Sequence, residues 1–161
     1  MRRAIPKERR DIIKIISQNK KARFNYDIDE VIEAGMVLTG TEVKALRIGK
    51  ANIGDSYVRI KRNEAFVYKM HIGPYPYAAF GNHEPERIRK LLLHKREIKR
   101  LIGKIQEKGY TLVPTRLYFK DHVVKVEIAL AKGKKLHDKR QAIKKRDEKR
   151  DLDRTMKRYK R

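Results

Sequence analysis

From residue 24 to residue 38 the even positions read Phe, Tyr, Ile, Glu, Ile, Ala, Met and Leu, while the odd ones are mostly Asn, Asp, Glu or Gly. This period of two predicts one long, half-buried strand, with Glu30 as its exception. Fifteen residues exceed the usual strand length, so the strand is expected to curve, with Gly35 as the bending point. Two further strands are predicted at 56–61 and 65–72, joined by a turn at Arg62 and Asn63, with Val58, Ile60, Phe66, Tyr68, Met70 and Ile72 facing inward. Residues 110–119 and 123–130 read as an antiparallel pair around 120–122, the second alternating Val124, Val126, Ile128 and Leu130 against Lys125 and Glu127. Pro114 lacks a ladder donor, which marks its segment as an edge strand or as two short strands.

Two helices interrupt these strands. Residues 40–49 offer Thr41 as N-cap, Glu42 in the first turn where the helix dipole favours an anion, and Gly49 as a stop. The longer helix is predicted over 85–108, with Pro85 at its first position, Gly109 beyond its end, and an apolar stripe of Ile88, Leu91, Leu92, Ile98, Leu101, Ile102 and Ile105. Leu92 lies at the edge of that stripe, and Lys90, Arg96, Lys99, Arg100 and Lys104 fall outside it. Period-two strands with helices between them predict a mainly β fold of the α+β type: a small OB-fold-like antiparallel barrel, or one similar to it, with two or three helices.

Charge divides the chain further. Of the formal net charge of +23, residues 132–161 contribute fifteen Lys or Arg against five acids, and residues 1–23 contribute nine against two. The expected organisation is a basic N-terminal arm at 1–18, a folded unit at 19–131, and a basic tail at 132–161 that is disordered when free and helical on RNA. Residues 9–16 also admit a short basic amphipathic helix, although Glu8 and Asp11 interrupt its basic run. Charge concentrated in arms is the footprint of a protein that displaces counterions from nucleic acid. No apolar run approaches the roughly 20 residues of a membrane span, which together with the absence of cysteine leads to the expectation of a soluble, cytoplasmic chain without a membrane partner.

The chemistry that remains is binding rather than turnover. His71, His83, His94, His122 and His137 are scattered without metal-ligand spacing, and no phosphate loop, nucleophile elbow or carboxylate run is present. No catalytic residue, metal or cofactor is therefore expected. Asn19, Lys20, Lys21, Ala22, Arg23 and Phe24 combine amide, cation and aromatic groups, the mixture that holds a phosphate and stacks on a base. Glu33, on the outward face of the first strand, repels phosphate but accepts hydrogen bonds from base amino groups or a ribose hydroxyl. The alternatives to a selective RNA binder are a histone-like or ribosomal protein held by charge alone, and a nuclease or RNA-modifying enzyme using His71 or Glu33.

Five blocks carry a resemblance: NKKARFNY from Asn19, EAGMVLTGTEVKALRIGKANIGDSY from Glu33, ERIRKLLLHKREIKRL from Glu86, KGYTLVP from Lys108 and AKGKKLHDKR from Ala131. In this order they resemble the SsrA-binding protein family, small protein B. The resemblance implies an OB-fold protein that binds the tRNA-like domain of transfer-messenger RNA. That protein brings the RNA, with elongation factor Tu held indirectly through it, to stalled ribosomes in trans-translation, and nothing suggests an obligate dimer, so a monomer is expected. It further implies that Asn19, Lys20, Lys21, Arg23, Phe24, Glu33 and Leu92 form the RNA-domain surface. Gly133, Lys134, Lys135, His137, Asp138, Lys139 and Arg140 are implied to probe the empty messenger channel beside small-subunit ribosomal RNA at the decoding centre. Phe24 departs from the His that many members carry there, which keeps stacking and removes a titratable ring.

Overall fold

The computed structural model describes residues 12–107 and 109–159; the outer part of the expected N-terminal arm lies outside them. In chain order the elements are β1 (Ile13–Gln18), α1 (Ala22–Asn25), β2 (Tyr26–Met36), α2 (Gly40–Arg47), β3 (Ala51–Asn52), β4 (Tyr57–Lys61), β5 (Glu64–Tyr68), β6 (His71–Ile72), β7 (Arg89–Leu92), α3 (Lys95–Gln106), β8 (Tyr110–Lys120), β9 (Val123–Gly133) and α4 (Leu136–Tyr159). The large sheet runs β1-β8-β4-β5-β7-β2-β9, all neighbours antiparallel, and β9 also pairs with β8. Its pairings thus return to β8, with the β4–β8 junction resting on Val58 opposite Leu112. This barrel-like, mainly antiparallel sheet with helices is the predicted fold class.

The core follows from alternation. Ile32, Ala34 and Met36 of β2, Val58 of β4, Leu112 and Leu117 of β8, and Val126, Ile128 and Leu130 of β9 point into one cluster, joined by Leu46 of α2 and Leu101 of α3. Glu30, the exception in the first strand, follows a register shift between Ile28 and Glu30 and pairs with Arg100 of α3. The chain therefore bends at this bulge. Gly35 serves a different purpose, because a Cβ there would stand 3.3 Å from the Leu92 Cβ. The predicted turn is a tight two-residue one, with Arg62 and Asn63 at φ 49° and 56°.

Several expectations are corrected. Residues 13–18 are not an arm but β1, paired with β8 from Ile13 opposite Lys120 to Gln18 opposite Arg116. Phe24 lies in the single turn of α1 rather than in the first strand. Phe66 and Tyr68 face outward, because Ala65 and Val67 fill the inner face of β5; a slip of one residue reverses every side chain of a strand. Pro114 stands within a strand flanked on both sides, where β8 changes neighbour from β4 to β1 and the ladder to β9 shifts register. The missing donor thus falls where the regular ladder breaks anyway.

The largest correction concerns residues 85–94, which are not helical. Arg89–Leu92 is β7, a strand between β5 and β2. Ile88, Leu91 and Leu92 do have helical spacing, but the open edges of β5 and β2 need hydrogen-bond partners, and a strand supplies both. The helix begins at Lys95, where the Glu97 carboxylate accepts from the His94 backbone N–H at 2.7 Å. Thr39, not Thr41, caps α2, and Glu42 accepts from the Thr39 backbone N–H at 2.7 Å. Glu42 is also fully buried: Arg87 Nε and Nη2 donate to it at 2.7 and 2.6 Å, and Arg89 Nε at 2.7 Å. Burial on its own raises that carboxyl, but the bonds from Arg87, the Thr39 backbone and Arg89 hold it at about 2.

The last strand runs into the expected tail, with Lys132 and Gly133 in β9, and residues 136–159 form the helix α4. With no Pro or Gly after Gly133 and many straight-chain side chains, the segment has the propensity for it. Arg150–Asp147 and Arg154–Asp151 ion pairs, each at 3.6 Å, add a little along one face.

Candidate nucleic-acid interface

Alternation along β2 sends Ile32 and Ala34 inward and Glu33 outward. There the Glu33 carboxylate receives a hydrogen bond from the Tyr118 hydroxyl, with Lys125 Nζ at 3.6 Å and Lys120 Nζ at 3.8 Å. Burial, and then the bond to Glu33, push the Tyr118 phenol well above its ordinary value, so it stays a donor. Two residues along β2, Gly35 lies opposite Leu92, which is 55% exposed. Glu33 and Leu92 therefore share one outward face, and the absent Cβ of Gly35 is what lets Leu92 lie close over β2.

Across the ladder from Glu33 stands Glu127 of β9, and across from that Arg116 of β8. Arg116 Nε donates to Glu127 Oε2 at 3.0 Å, and Thr115 Oγ1 to its Oε1 at 2.6 Å. Burial alone raises the Glu127 carboxyl; the bonds from Arg116 and Thr115, with the nearby charges of Arg116 and Arg23, hold it below the ordinary range. Both carboxylates are thus fixed in direction and flanked by cations. Such a surface accepts hydrogen bonds from amino and hydroxyl groups while its rim attracts phosphate.

The one-turn α1 overhangs this face. Asn19 is 6% exposed, and its amide holds the protein together: Nδ2 reaches the carbonyls of Ile53, Gly54 and Pro114 at 3.3–3.4 Å, and Oδ1 accepts from the Ala22 N–H at 3.0 Å. It thereby fixes where α1 starts. Lys20, Lys21 and Arg23 are exposed and Phe24 is partly so. Lys20 and Arg23 line one cleft with Gln18, Arg116 and Glu127, whereas Lys21 turns into another with Gly54, Asp55 and Tyr57. The structure accordingly brings Lys20, Arg23, Glu33 and Leu92 onto one side, uses Asn19 as internal support, and directs Lys21 elsewhere. Arg116, Tyr118, Lys120, Lys125 and Glu127 were not among the sequence candidates. The polar alternation of Lys125 and Glu127 was visible, but their alignment with Glu33 depends on register.

The tail leaves from the same region. Gly133 pairs with Tyr26 at the end of β9. The Lys134 backbone N–H then donates to Asn25 O at 2.9 Å, while its Nζ donates to Arg23 O at 3.0 Å and lies 3.3 Å from Asp27 Oδ1. Lys134 is therefore an anchor for the root of α4. Lys135 and Arg140 are exposed, and the side chains of His137, Asp138 and Lys139 lie outside the described residues. The 24 residues of α4 extend about 36 Å at 1.5 Å per residue. Among the described residues no helix is long and apolar enough to cross a membrane.

Comparison with known proteins identifies the family. The model of the family described as SmpB protein matches residues 16–158. The chain is 59% identical over 145 residues to the SsrA-binding protein of Syntrophobacter fumaroxidans (strain DSM 10017 / MPOB), covering 90% of each, and 60% identical over 139 residues to that of Geotalea uraniireducens (strain Rf4), covering 86% of this chain and 92% of the relative. A similar solved structure, described as "tmRNA-SmpB: a journey to the center of the bacterial ribosome", superposes with a TM-score of 0.64 at 44% identity, over 78% of this chain and 92% of that one. With the match running from within β1 almost to the end of α4, the chain belongs to the SmpB protein family.

Proposed function

We propose that this chain is an RNA-binding adaptor that holds transfer-messenger RNA by its tRNA-like domain and delivers it to stalled ribosomes. The barrel face grips the folded RNA, with elongation factor Tu attached only through that RNA, and α4 is carried into the vacant messenger channel. The observation that carries this reading is the Glu33 carboxylate, fixed between Tyr118, Lys120 and Lys125 beside exposed Leu92. A chain of net charge +23 that sought only phosphate would gain nothing from an ordered outward carboxylate. As an acceptor for base amino or ribose hydroxyl groups it adds shape and identity to bulk attraction.

Division of labour between face and tail supports two contrasting variants. Glu33→Ala makes the protein more basic yet is expected to weaken binding of the tRNA-like domain about 10-fold or more, the worth of roughly 1.5–3 kcal/mol for a bond to a charged acceptor. Deleting residues 135–161 retains Lys134 and the barrel; it should leave that affinity within about threefold, allowing for lost counterion release, while abolishing peptide tagging on stalled ribosomes. Gel-shift titration and a tagging assay measure the two. Tighter binding by Glu33→Ala, or normal tagging without the tail, defeats the reading.

A further inference from the structure

The outward face of the β4–β5 hairpin carries three half-buried aromatic side chains where the outer face of a sheet ordinarily shows polar groups. Ala65 and Val67, both 0% exposed, occupy the inner positions of β5 and so force Phe66 and Tyr68 outward. Tyr68 lies in register with Tyr57 and Phe66 with Arg59. The two tyrosine rings are stacked, their centroids 5.3 Å apart and their planes 4° from parallel. Arg59 Cζ lies over the Tyr57 ring at 5.2 Å and Lys61 Nζ over the Tyr68 ring at 5.5 Å, while Lys90 of β7 stands in register with Phe66. Glu64, paired with Lys90, is the one carboxylate among the outward residues of these three strands.

We propose that this face is a second RNA site, which takes unpaired bases by stacking and is separate from the Glu33 face. In the order of pairing β7 joins the two faces, with Lys90 beside Phe66 and Leu92 beside Gly35, while the tyrosine pair on β4 and β5 lies two strands from Glu33 on β2. Flat parallel rings beside cations are the elements of a single-strand platform, since every base has a π-face and every linkage a phosphate. An exposed cation–π contact is worth about 0.5–1 kcal/mol, less than the roughly 1–3 kcal/mol of a base stacked on an aromatic ring. An arriving base therefore displaces Arg59 or Lys61 from its ring, and the freed cation takes a flanking phosphate. Duplex RNA hides its base faces, so the site selects single-stranded or flipped-out nucleotides.

The test uses the full chain and an oligouridylate of about eight nucleotides with one internal 2-aminopurine, whose fluorescence falls when it stacks. Binding to the wild type should quench it. Tyr57→Leu/Tyr68→Leu, which keeps an apolar cross-strand pair, should weaken binding about 10-fold or more and remove the quenching, whereas Tyr57→Phe/Tyr68→Phe should stay within about twofold. Arg59→Gln/Lys61→Gln leaves the rings in place; it should retain quenching and flatten the log–log salt dependence by about 1.4. Unquenched 2-aminopurine in the wild type, or unchanged binding and quenching in the leucine pair, overturns the proposal. Glu33→Ala should leave the oligonucleotide bound and quenched as in the wild type, so its effect on the tRNA-like domain tests the adaptor reading independently of this second site.

Discussion

Replacing Glu42 by Gln should cost about 3–5 kcal/mol of folding free energy, the usual range when one partner of a buried ion pair is removed. The carboxylate is fully buried and takes four hydrogen bonds: two from Arg87, one from Arg89 and one from the Thr39 backbone. The Arg89 guanidinium is equally buried, and without Glu42 it keeps only the carbonyls of Met70 at 2.6 Å, Pro85 at 3.0 Å and Arg87 at 3.1 Å. Glutamine offers one carbonyl oxygen in place of the charge and turns an amide donor toward a cation. Domains of this size are stable by about 5–15 kcal/mol, and urea slopes are about 1–3 kcal/mol per molar, so the midpoint should fall by about 2 M. Arg87→Met should cost less, because the Arg87 side chain is 28% exposed and water replaces part of what is lost. Urea titration followed by far-ultraviolet circular dichroism measures both. A loss under about 1 kcal/mol in Glu42→Gln would mean that water reaches the pair and that the junction of α2, β7 and the preceding loop is held by packing alone.

The same carboxylate sets an acid dependence. Because folding lowers its pKa from 4.5 to about 2, its contribution of about 3 kcal/mol is complete above pH 4.5 and is lost as the pH falls towards 2; Glu42→Gln should flatten stability in that window, and an unchanged slope would move the effect to other carboxyls. Asn19→Ala removes the amide's bonds to the carbonyls of Ile53, Gly54 and Pro114 and from the Ala22 N–H; although Ile53 O keeps Ser56 and the Ala22 N–H keeps the backbone carbonyl of residue 19, this should cost about 2 kcal/mol and lower the Tm by about 5–10 °C. If instead it matches Glu33→Ala in lost RNA affinity with no change in Tm, Asn19 is a contact rather than a support.

Much of the fold is legible because local rules and tertiary packing coincide. The alternation in β2 and β9, the turn at Arg62 and Asn63, and the apolar core of α3 each meet their requirement within a few residues. The site was legible in part: Glu33 is odd on its own strand, whereas Leu92 stood out only at the edge of a helical stripe that the structure replaces with β7. Its other half, Arg116, Tyr118, Lys120, Lys125 and Glu127, joins them only through the registers β2–β9 and β8–β9. No reading of one strand contains the register of two.

By itself, then, the sequence determined a mainly β chain with a modest core, the outward carboxylate, the basic extension and the five blocks that resemble one family, because composition and short-range periodicity carry all of these. Only the tertiary structure decided that residues 89–92 are a strand, that Phe66 and Tyr68 point outward and are half-buried, that Asn19 is buried, and that Lys134 is tied to α1. Each of those outcomes turns on a partner far along the chain: β5 and β2 for β7, the core for Ala65 and Val67, Pro114 for Asn19, Arg23 for Lys134. Hydrogen-bond donors and apolar surface are satisfied globally, and where a global partner competes with local spacing, the larger number of contacts wins.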